Sequence, residues 1–360
     1  MSEGRRGRVA RMRNAPDGYR VTLADVAAEA GVSISTASKA LSGGQPVGAI
    51  TKTRVLAAAS HLNYQPNRQA QSLALGQSGT VGLITNDLDG RFSNPIMMGA
   101  EDAFGVGKIS VLLCNSRGDT IRERYHINAL LGRQVDGLIL VGARPDPRPS
   151  LGNLPVPVVY AYAPSLDEHD MSVIVDNKIS GKLALEHLLE CGRRRIAVIS
   201  GDPSYGAAVD RVTGASEALE QAGLTMVGGQ AIFGAWTESW GRGATRALIE
   251  RHGVARGSDP TGSDDGIDAI ICGSDQIARG CLDALREMGL SVPGTVAVVG
   301  HDNWESVADG ARPPLTSIDM NLEELGRHAA NLLLRAISGE KVECTEALRS
   351  QLVVRGSTAV

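Results

Sequence analysis

Residues 21–43, VTLADVAAEAGVSISTASKALSG, predict two short helices joined by a tight turn. Thr22 and Asp25 have the spacing of a capping box at a helix start, and Gly31 suits the end of that helix. Ser33 can cap a second helix, and small or apolar side chains recur on one face of each segment. Two short helices joined by a glycine-containing turn form a helix-turn-helix motif. An all-α N-terminal domain over residues 21–66 is therefore expected.

The second helix of such a motif enters the major groove of DNA with its first residues at the base edges. Lys39 can donate to the acceptors of guanine, and Ile34 can contact the methyl group of thymine. Small hydroxyl groups near the helix starts can contact backbone phosphates. The same pattern also fits a small helical bundle that does not bind DNA. The candidate DNA contacts in this domain are Thr22, Ser33, Ile34, Ser35, Thr36, Ser38, Lys39 and Thr51.

The charge distribution separates the N-terminal segment from the rest of the chain. Residues 1–75 carry ten Lys and Arg against four acids, a net charge of +6, whereas the whole chain of 360 residues carries −4. The remainder is therefore at −10. A basic segment joined to an acidic body suits a nucleic-acid-binding module attached to a domain that does not bind nucleic acid. Residues 1–20 are Arg-rich and aperiodic, and we expect them to be disordered.

From Thr80 onward, short strands rich in Val and Ile alternate with amphipathic helices. This order is typical of α/β domains with doubly wound parallel sheets. Residues 80–360 are too many for one such sheet. Two βα units repeat, near 80–176 and near 178–305, so we expect two subdomains.

Other classes of protein are disfavoured by what the sequence lacks. The five cysteines form no CxxC motif and no Cys/His cluster, which argues against a metal site and against a disulfide scaffold. No apolar run is long enough to span a membrane, and no signal peptide is evident. The phosphate-binding, nucleotide-binding and nucleophile motifs of common α/β enzymes are absent. We therefore expect a cytoplasmic protein that is not an enzyme, carries no cofactor and does not bind membranes.

The motifs TLADVAAEAGVS (residues 22–33) and YQPN (residues 64–67) resemble the DNA-binding domain of the lactose/galactose repressor family. The resemblance extends from Val21 to about Val354. It implies that Asn67–Ala74 is a hinge helix, within a linker at 67–78, that orders on DNA and pairs with its twin in a dimer. It further implies that Leu73 enters the minor groove as an apolar wedge, as in other DNA-kinking proteins. Asn67 and Ala70 would contact the same site on DNA.

The same resemblance implies a body like that of periplasmic sugar-binding proteins, with three crossovers between two α/β subdomains. The expected boundaries are about 79–176 with 307–338 for the first subdomain, and about 177–306 with 339–360 for the second. Ligands of doubly wound sheets bind beyond the carboxyl ends of the strands. Carboxylates, guanidinium groups and aromatic faces at these ends suit the hydroxyls and rings of a sugar. The candidate effector contacts are Asp87, Phe92, Asp176, Arg211, Trp236, Asp275, His301, Asp302 and Trp304.

Each of these residues also has a purely structural interpretation. Asp87 and Asp275 can cap helices, Arg211 can form a surface ion pair, and the Trp side chains can pack in the core. By resemblance, Arg211 and Asp275 match the Arg and Asp that bind effectors in the family. His301 stands where the family usually has an aromatic residue, which leaves its contacts open.

The sequence thus predicts a dimeric repressor that binds palindromic operator DNA and responds to a sugar-like molecule. A regulator that needs a corepressor, such as a purine, remains an alternative, because the direction of the response is not encoded in a motif.

Overall fold

The computed structural model describes residues 21–42, 47–64, 77–87, 90–255 and 266–359. The chain forms two compact units, Met1–Ser78 and Gly79–Val360, here called the head and the body. The basic leader at 1–20 lies outside the described residues, as do the predicted hinge residues Asn67, Ala70 and Leu73.

The described residues of the head form three helices, α1 (Leu23–Ala30), α2 (Ile34–Ser42) and α3 (Ala49–His61). The capping box at the start of α1 is present, since the backbone amide and hydroxyl of Thr22 donate to the Asp25 carboxylate at 2.9 and 2.7 Å. Gly31 ends α1 in the left-handed conformation at φ +64°. The three helices enclose a small core of Val and Ala side chains, in which Val26, Ala37 and Val55 are fully buried.

The body alternates strands and helices, as the sequence predicts. Its elements are β1 (Thr80–Thr85), α4 (Ser93–Phe104), β2 (Ser110–Asn115), α5 (Thr120–Leu131), β3 (Gly137–Val141), β4 (Val158–Ala161), β5 (Met171–Val175), α6 (Asn177–Glu190), β6 (Ile196–Ser200), α7 (Gly206–Gln221), β7 (Ile232–Phe233), α8 (Glu238–His252), β8 (Ala269–Cys272), α9 (Asp275–Glu287), β9 (Ala297–His301), α10 (Glu305–Ala308), β10 (Thr316–Asp319), α11 (Leu322–Ile337), β11 (Thr345–Leu348) and β12 (Gln351–Val353). In the described part of the chain, none of the helices has the length and apolar character needed to cross a bilayer.

The strands form two six-stranded sheets, and each defines a subdomain. The first sheet has the order β11-β5-β4-β3-β1-β2, and the second has the order β12-β10-β9-β8-β6-β7. All neighbouring strands are parallel except β12, which pairs antiparallel with β10 at one edge of the second sheet. The two predicted parallel α/β sheets are thereby confirmed.

The last part of the chain crosses between the subdomains at positions other than those predicted from the sequence. The expected assignment puts 307–338 in the first subdomain and 339–360 in the second. Instead, Thr316–Asp319 pairs with β9 in the second sheet, and Thr345–Leu348 pairs with β5 in the first sheet. Only the intervening helix, Leu322–Ile337, packs with the first subdomain as expected. A short strand carries no signal for the sheet it joins, so these boundaries follow from strand pairing alone.

Three helix pairs pack through reciprocal glycines: α4 with α11, α6 with α7, and α8 with α9. In each pair, a glycine of either helix faces a backbone carbonyl of its partner. A Cβ built on any of these glycines would lie 1.8–2.1 Å from that carbonyl oxygen. The backbones are therefore closer than any side chain permits. The glycines concerned are Gly99 and Gly326, Gly181 and Gly214, and Gly241 and Gly280.

Gly241→Ala is expected to lower the free energy of unfolding by about 1–3 kcal/mol, as measured by urea denaturation. Its Cβ would lie 2.1 Å from the carbonyl oxygen of Ile277, so α8 and α9 must separate. Gly243→Ala, in the same helix, is the matched control because nothing lies within 4 Å of its Cβ position. That substitution should raise the free energy of unfolding by about 0.5–1 kcal/mol. Equal effects of the two changes would contradict the close helix contact.

Candidate functional site

The exposed face of α2 carries the predicted DNA-contacting side chains. Ile34 is 55% exposed, although it is a large apolar residue, and Ser35, Ser38 and Lys39 are exposed beside it. Ala37 lies on the opposite face in the core of the head. The helix therefore presents one polar side with a single apolar residue near its first turn.

The hydroxyl groups at the helix starts are hydrogen-bonded within the head. The Ser33 hydroxyl accepts from the backbone amide of Thr36 at 3.1 Å, and it lies 2.9 and 2.8 Å from the hydroxyls of Ser35 and Thr36. Thr22 belongs to the capping box of α1, and Thr51 is half-buried near the start of α3. These contacts fix the first turns of the helices.

In the body, six of the predicted effector contacts come together near the carboxyl ends of the strands. Asp302, which follows β9, lies at the centre of this group. Its side chain is 7% exposed, and its backbone adopts the left-handed region at φ +103°. The group consists of Phe92, Arg211, Asp275, His301, Asp302 and Trp304.

The Asp302 carboxylate lies between two guanidinium groups. It forms an ion pair with Arg91 and lies 3.7 Å from Nη1 of Arg211. It also accepts a hydrogen bond from Nδ1 of His301 at 3.1 Å. Burial alone would raise the pKa of Asp302, but Arg91, the His301 hydrogen bond and Arg211 outweigh it and hold the pKa below its usual value. Asp302 is therefore a buried carboxylate that stays ionised.

Arg211 is anchored in the body and is not a surface residue. Its side chain is 8% exposed. Nη1 donates to the carbonyl of Gly273 at 2.6 Å, and Nε donates to Oδ1 of Asn177 at 3.0 Å. The alternative of a surface ion pair is therefore wrong for this residue. These contacts hold the guanidinium between the start of α6 and the end of β8, facing Asp302.

Asp275 is fully buried, and both of its carboxylate oxygens have partners. Oδ1 accepts from the hydroxyl of Ser317 at 2.6 Å, and Oδ2 accepts from the backbone amide of Trp304 at 2.7 Å. Burial, followed by the nearby charge of Asp302, raises the pKa of Asp275 to about 7. The cap of α9 is Ser274, whose hydroxyl accepts from the amide of Ile277. Asp275 therefore positions the loop after β9, a role that neither sequence-based interpretation included.

His301 is neutral and has a defined tautomer. Burial lowers its pKa to about 4, and the positive charge of Arg211 acts in the same direction. A carboxylate only accepts hydrogen bonds, so Nδ1 carries the proton that is donated to Asp302 and Nε2 is an acceptor. Nε2 is buried without a partner among the described residues. His301 lines a cavity of about 10 Å³ together with Ser200 and Arg211, and this volume is close to the size needed for one water molecule.

Asp87 accepts hydrogen bonds at the start of a helix, as its structural interpretation predicts, and Asp176 caps another helix. Oδ2 of Asp87 accepts from the amides of Phe92 and Ser93 at 2.7 and 3.0 Å, at the start of α4. Oδ1 of Asp176 accepts from the amide of Ile179 at 2.9 Å, at the start of α6. Both carboxylates thus determine where the helices that border the strand ends begin.

The two Trp side chains among the candidate effector contacts lie in different surroundings. Trp304 lies against Arg91, with the guanidinium carbon 4.6 Å from its ring centroid. Trp236 packs edge-to-face with Tyr205 at 5.7 Å and covers Gly201, where a Cβ would lie 2.3 Å from the indole. Nε1 of Trp236 is buried and has no hydrogen-bond partner in the described part of the chain.

Three residues of this region were not among the sequence-based candidates: Arg91, Tyr162 and Met320. Tyr162 follows β4 at φ +72°, and its ring stacks on Phe92 at 5.4 Å. Its hydroxyl donates to the sulfur of Met320 at 3.9 Å, and burial raises its pKa to about 12. All three follow strands of the sheets, so the rule that ligands bind beyond the carboxyl ends of strands could have selected them. Among the described residues, no group of three or more His, Cys, Asp and Glu is arranged to hold a metal ion.

The raised pKa of Asp275 predicts a pH-dependent stability. Between pH 4 and 7 the folded protein holds a proton at Asp275 that the unfolded chain has lost, so this contribution to stability falls as pH rises. The stability advantage of the wild type over Asp275→Asn should therefore shrink by about 1–4 kcal/mol from pH 4 to pH 8. Urea denaturation across this range measures it.

His301→Gln is a control variant for which the stability difference from the wild type should change with pH in the opposite direction. The lowered pKa of His301 means that the unfolded chain binds a proton that the folded protein lacks between pH 4 and 6.5. The advantage of the wild type over this variant should grow as pH rises. A pH-independent difference for Asp275→Asn would contradict its raised pKa.

Comparison with known proteins connects both parts of the chain to one family. Residues 22–67 match bacterial regulatory proteins of the lacI family, and residues 185–358 match the periplasmic binding protein-like domain. The HTH-type transcriptional regulator CelR of Thermobifida fusca is 34% identical over 348 residues, covering 94% of this chain and 98% of that protein. Catabolite control protein A of Staphylococcus aureus is 31% identical and covers 90% of this chain and 94% of its own length.

Solved structures agree with this relationship. A complex of the transcriptional regulator CelR with cellobiose matches with a TM-score of 0.62 and 32% identity, covering 94% of this chain and all of that chain. A lac repressor dimer bound to operator and the anti-inducer ONPF matches with a TM-score of 0.71 and 27% identity, covering 95% of this chain and all of that chain. With its helix-turn-helix head and its two parallel α/β subdomains, the chain belongs to the LacI family of DNA-binding transcriptional regulators.

Proposed function

We propose that this regulator binds operator DNA as a dimer and is controlled by a sugar bound between the subdomains of its body. The observation that carries the proposal is the buried polar group around Asp302. It joins an ionised carboxylate, the anchored guanidinium of Arg211 and an aromatic ring at the carboxyl ends of the strands. Ligands of doubly wound sheets bind at this position, and these groups suit sugar hydroxyls. The related CelR structure, which is described as a complex with cellobiose, supports the same class of effector.

The exposed face of α2 is the proposed DNA-reading surface. Ile34 and Lys39 are exposed there, and Ser35 and Ser38 lie between them along the helix. A methyl-bearing side chain beside small hydroxyls and one cation matches the mixture of thymine methyl groups and base acceptors in the major groove. The capped first turn gives these side chains a fixed geometry before DNA is bound.

An apolar edge of the first sheet is the proposed dimer surface. The sheet ends at β2, where Leu112 and Leu113 are 37% and 47% exposed. Ile121 and Tyr125 of the following helix, α5, are 79% and 69% exposed. Exposed apolar residues on an unpaired sheet edge favour association with another protein surface. The related lac repressor structure is a dimer, which supports a second copy of this chain as the partner.

Effector binding would act on DNA through the two subdomains. A ligand that binds one arrangement of the subdomains more tightly than another shifts the population toward that arrangement. In a dimer, such a shift changes the spacing of the two DNA-binding units. Coupling energies between binding sites are typically about 1–3 kcal/mol, which corresponds to affinity changes of roughly 5- to 150-fold.

Lys39→Ala is expected to weaken specific operator binding by about 1–3 kcal/mol, because one base contact is lost. Fluorescence anisotropy with a duplex selected from a random pool by the wild-type protein would measure this change. Lys341→Ala, in the body, removes the same charge from a side chain that is 86% exposed, and it should leave the affinity unchanged. An equal loss on specific and random DNA for Lys39→Ala would argue against base recognition by this residue.

Arg211→Ala should abolish the response to effector and leave operator affinity intact, because it removes the anchored guanidinium from the strand ends. A thermal-shift screen would first identify the effector, with cellobiose, other sugars and purines as probes. DNA release or retention is then measured by anisotropy with the ligand that shifts the melting temperature. Arg246→Ala, whose side chain is 44% exposed on α8, is the matched control.

The outcome of the screen also decides between the two effector classes. A response to purines and none to sugars would favour the corepressor alternative. An unchanged effector response in Arg211→Ala would remove this residue from the proposed site.

A further inference from the structure

Arg91 is contributed by the first subdomain, but three of its contacts belong to the second. It lies in the segment between β1 and α4. Its guanidinium forms an ion pair with Asp302 and donates from Nη1 to Oε1 of Gln276 at 3.4 Å. The same group lies over the ring of Trp304. Arg91 therefore joins the two subdomains directly; this set of contacts is called the Arg91 bridge below.

The surroundings of the Arg91 guanidinium resemble those of a bound cationic ligand. The guanidinium carbon lies 4.6 Å from the ring centroid of Trp304 and 5.1 Å from that of Phe92, so it contacts two aromatic rings. Its charge is neutralised by the buried carboxylate of Asp302. Cations are held in this way between aromatic rings and a carboxylate in ligand sites. The side chain is 16% exposed, so it fills this position instead of extending into solvent.

The same groups are those proposed to bind the effector. Asp302 can accept hydrogen bonds from hydroxyls, and the ring of Trp304 can stack on a sugar. Both are occupied by Arg91 in this structure. An effector that uses Asp302 and Trp304 must therefore displace Arg91, and the two compete for one position.

The contacts of Arg91 are incomplete, which makes the bridge replaceable. Nε of Arg91 is buried and has no hydrogen-bond partner among the described residues. The hydrogen bond to Gln276, at 3.4 Å, is long. In addition, Asp302 holds its carboxylate in place from a left-handed backbone conformation, at φ +103°, that non-glycine residues rarely adopt.

A second set of contacts joins the subdomains at the start of α7. Asp146, in the loop after β3, accepts from the backbone amide of Gly206 at 2.8 Å. The guanidinium carbon of Arg144 lies 4.3 Å from the ring centroid of Tyr205. Among the described residues, side chains therefore join the two subdomains at this second place as well as at the Arg91 bridge.

We propose that Arg91 acts as an internal competitor of the effector, holding the subdomains together through Asp302 and Trp304 until the effector displaces it. The proposal rests on the effector site proposed above and adds its regulation. The apparent dissociation constant of the effector is then increased by the population of the bridged state. Removing the bridge should tighten effector binding and loosen the ligand-free body.

The ligand-free test uses the fluorescence of Trp304 in full-length protein with Trp236→Phe and Trp240→Phe. In this background, Arg91→Met should increase acrylamide quenching of Trp304, because the ring loses the guanidinium that covers it. Arg122→Met is the matched control; its side chain is 55% exposed on α5, away from these contacts. Thermal unfolding verifies that each variant folds, and Arg91→Lys, which keeps the charge, should give intermediate quenching if Arg91→Met is unstable.

A double-mutant cycle identifies the partner of Arg91. Asp302→Asn should increase quenching as Arg91→Met does, and combining the two should add little further. Additive effects would show that Arg91 covers Trp304 independently of Asp302, and they would overturn the bridge.

The ligand test compares effector affinity by isothermal titration, using cellobiose or whichever probe shifts the melting temperature. We expect Arg91→Met to bind that probe roughly 5- to 150-fold more tightly, the range of typical coupling between sites. Weaker binding would make Arg91 an effector contact, and unchanged binding would make it structural; either result overturns the proposal. If no probe binds the wild type, the proposed effector class is wrong. The quenching experiment needs no ligand, so it still tests whether the Arg91 bridge forms.

Discussion

The buried carboxylate of Asp275 holds together the region on which the rest of the body depends. It begins α9, and its two oxygens bind the hydroxyl of Ser317 on β10 and the amide of Trp304 after β9. One side chain thereby fixes three neighbouring chain segments at the carboxyl end of the second sheet. Gly300 is part of the same constraint, since a Cβ there would lie 2.3 Å from Oδ1 of Asp275.

The loop held by Asp275 determines the charges of the site. His301 and Asp302 follow Gly300, and the protein environment changes their pKa values in ways that keep one neutral and the other ionised. The ionised carboxylate then lies between Arg91 and Arg211, which come from different subdomains. The negative charge of Asp302 thus interacts with two guanidinium groups. That of Arg211 is anchored by hydrogen bonds within its own subdomain, whereas that of Arg91 has fewer hydrogen-bond partners. This asymmetry distinguishes the two arginines, because only Arg211 is held by several contacts within its own subdomain.

Membership of the LacI family gives these contacts a functional context. The effector control proposed for this regulator requires that the body adopt more than one arrangement of its subdomains. Within each subdomain, the reciprocal glycine pairs let helices pack so closely that their backbones touch. The contacts between subdomains are, by contrast, single side chains such as Arg91 and Asp146. When closely packed subdomains are joined by a few contacts that a ligand can replace, the binding of a small ligand can move one whole subdomain relative to the other.

The sequence by itself determined the helix-turn-helix head and the alternation of strands and helices in the body. Capping boxes, helix-ending glycines and apolar periodicity act within a few residues, so Thr22, Gly31 and Ser33 were assigned correctly from local pattern. Position after a strand also selected Arg211, Asp302 and Trp304 as candidate effector contacts, because parallel strands bring their carboxyl ends to one edge of a sheet.

The tertiary structure alone decided which sheet Thr316–Asp319 and Thr345–Leu348 join, and which carboxylates cap helices. It also revealed the contact of Arg91 with Asp302, which are 211 positions apart in sequence. Such pairings depend on the packing of whole subdomains, and no local pattern in the chain encodes them.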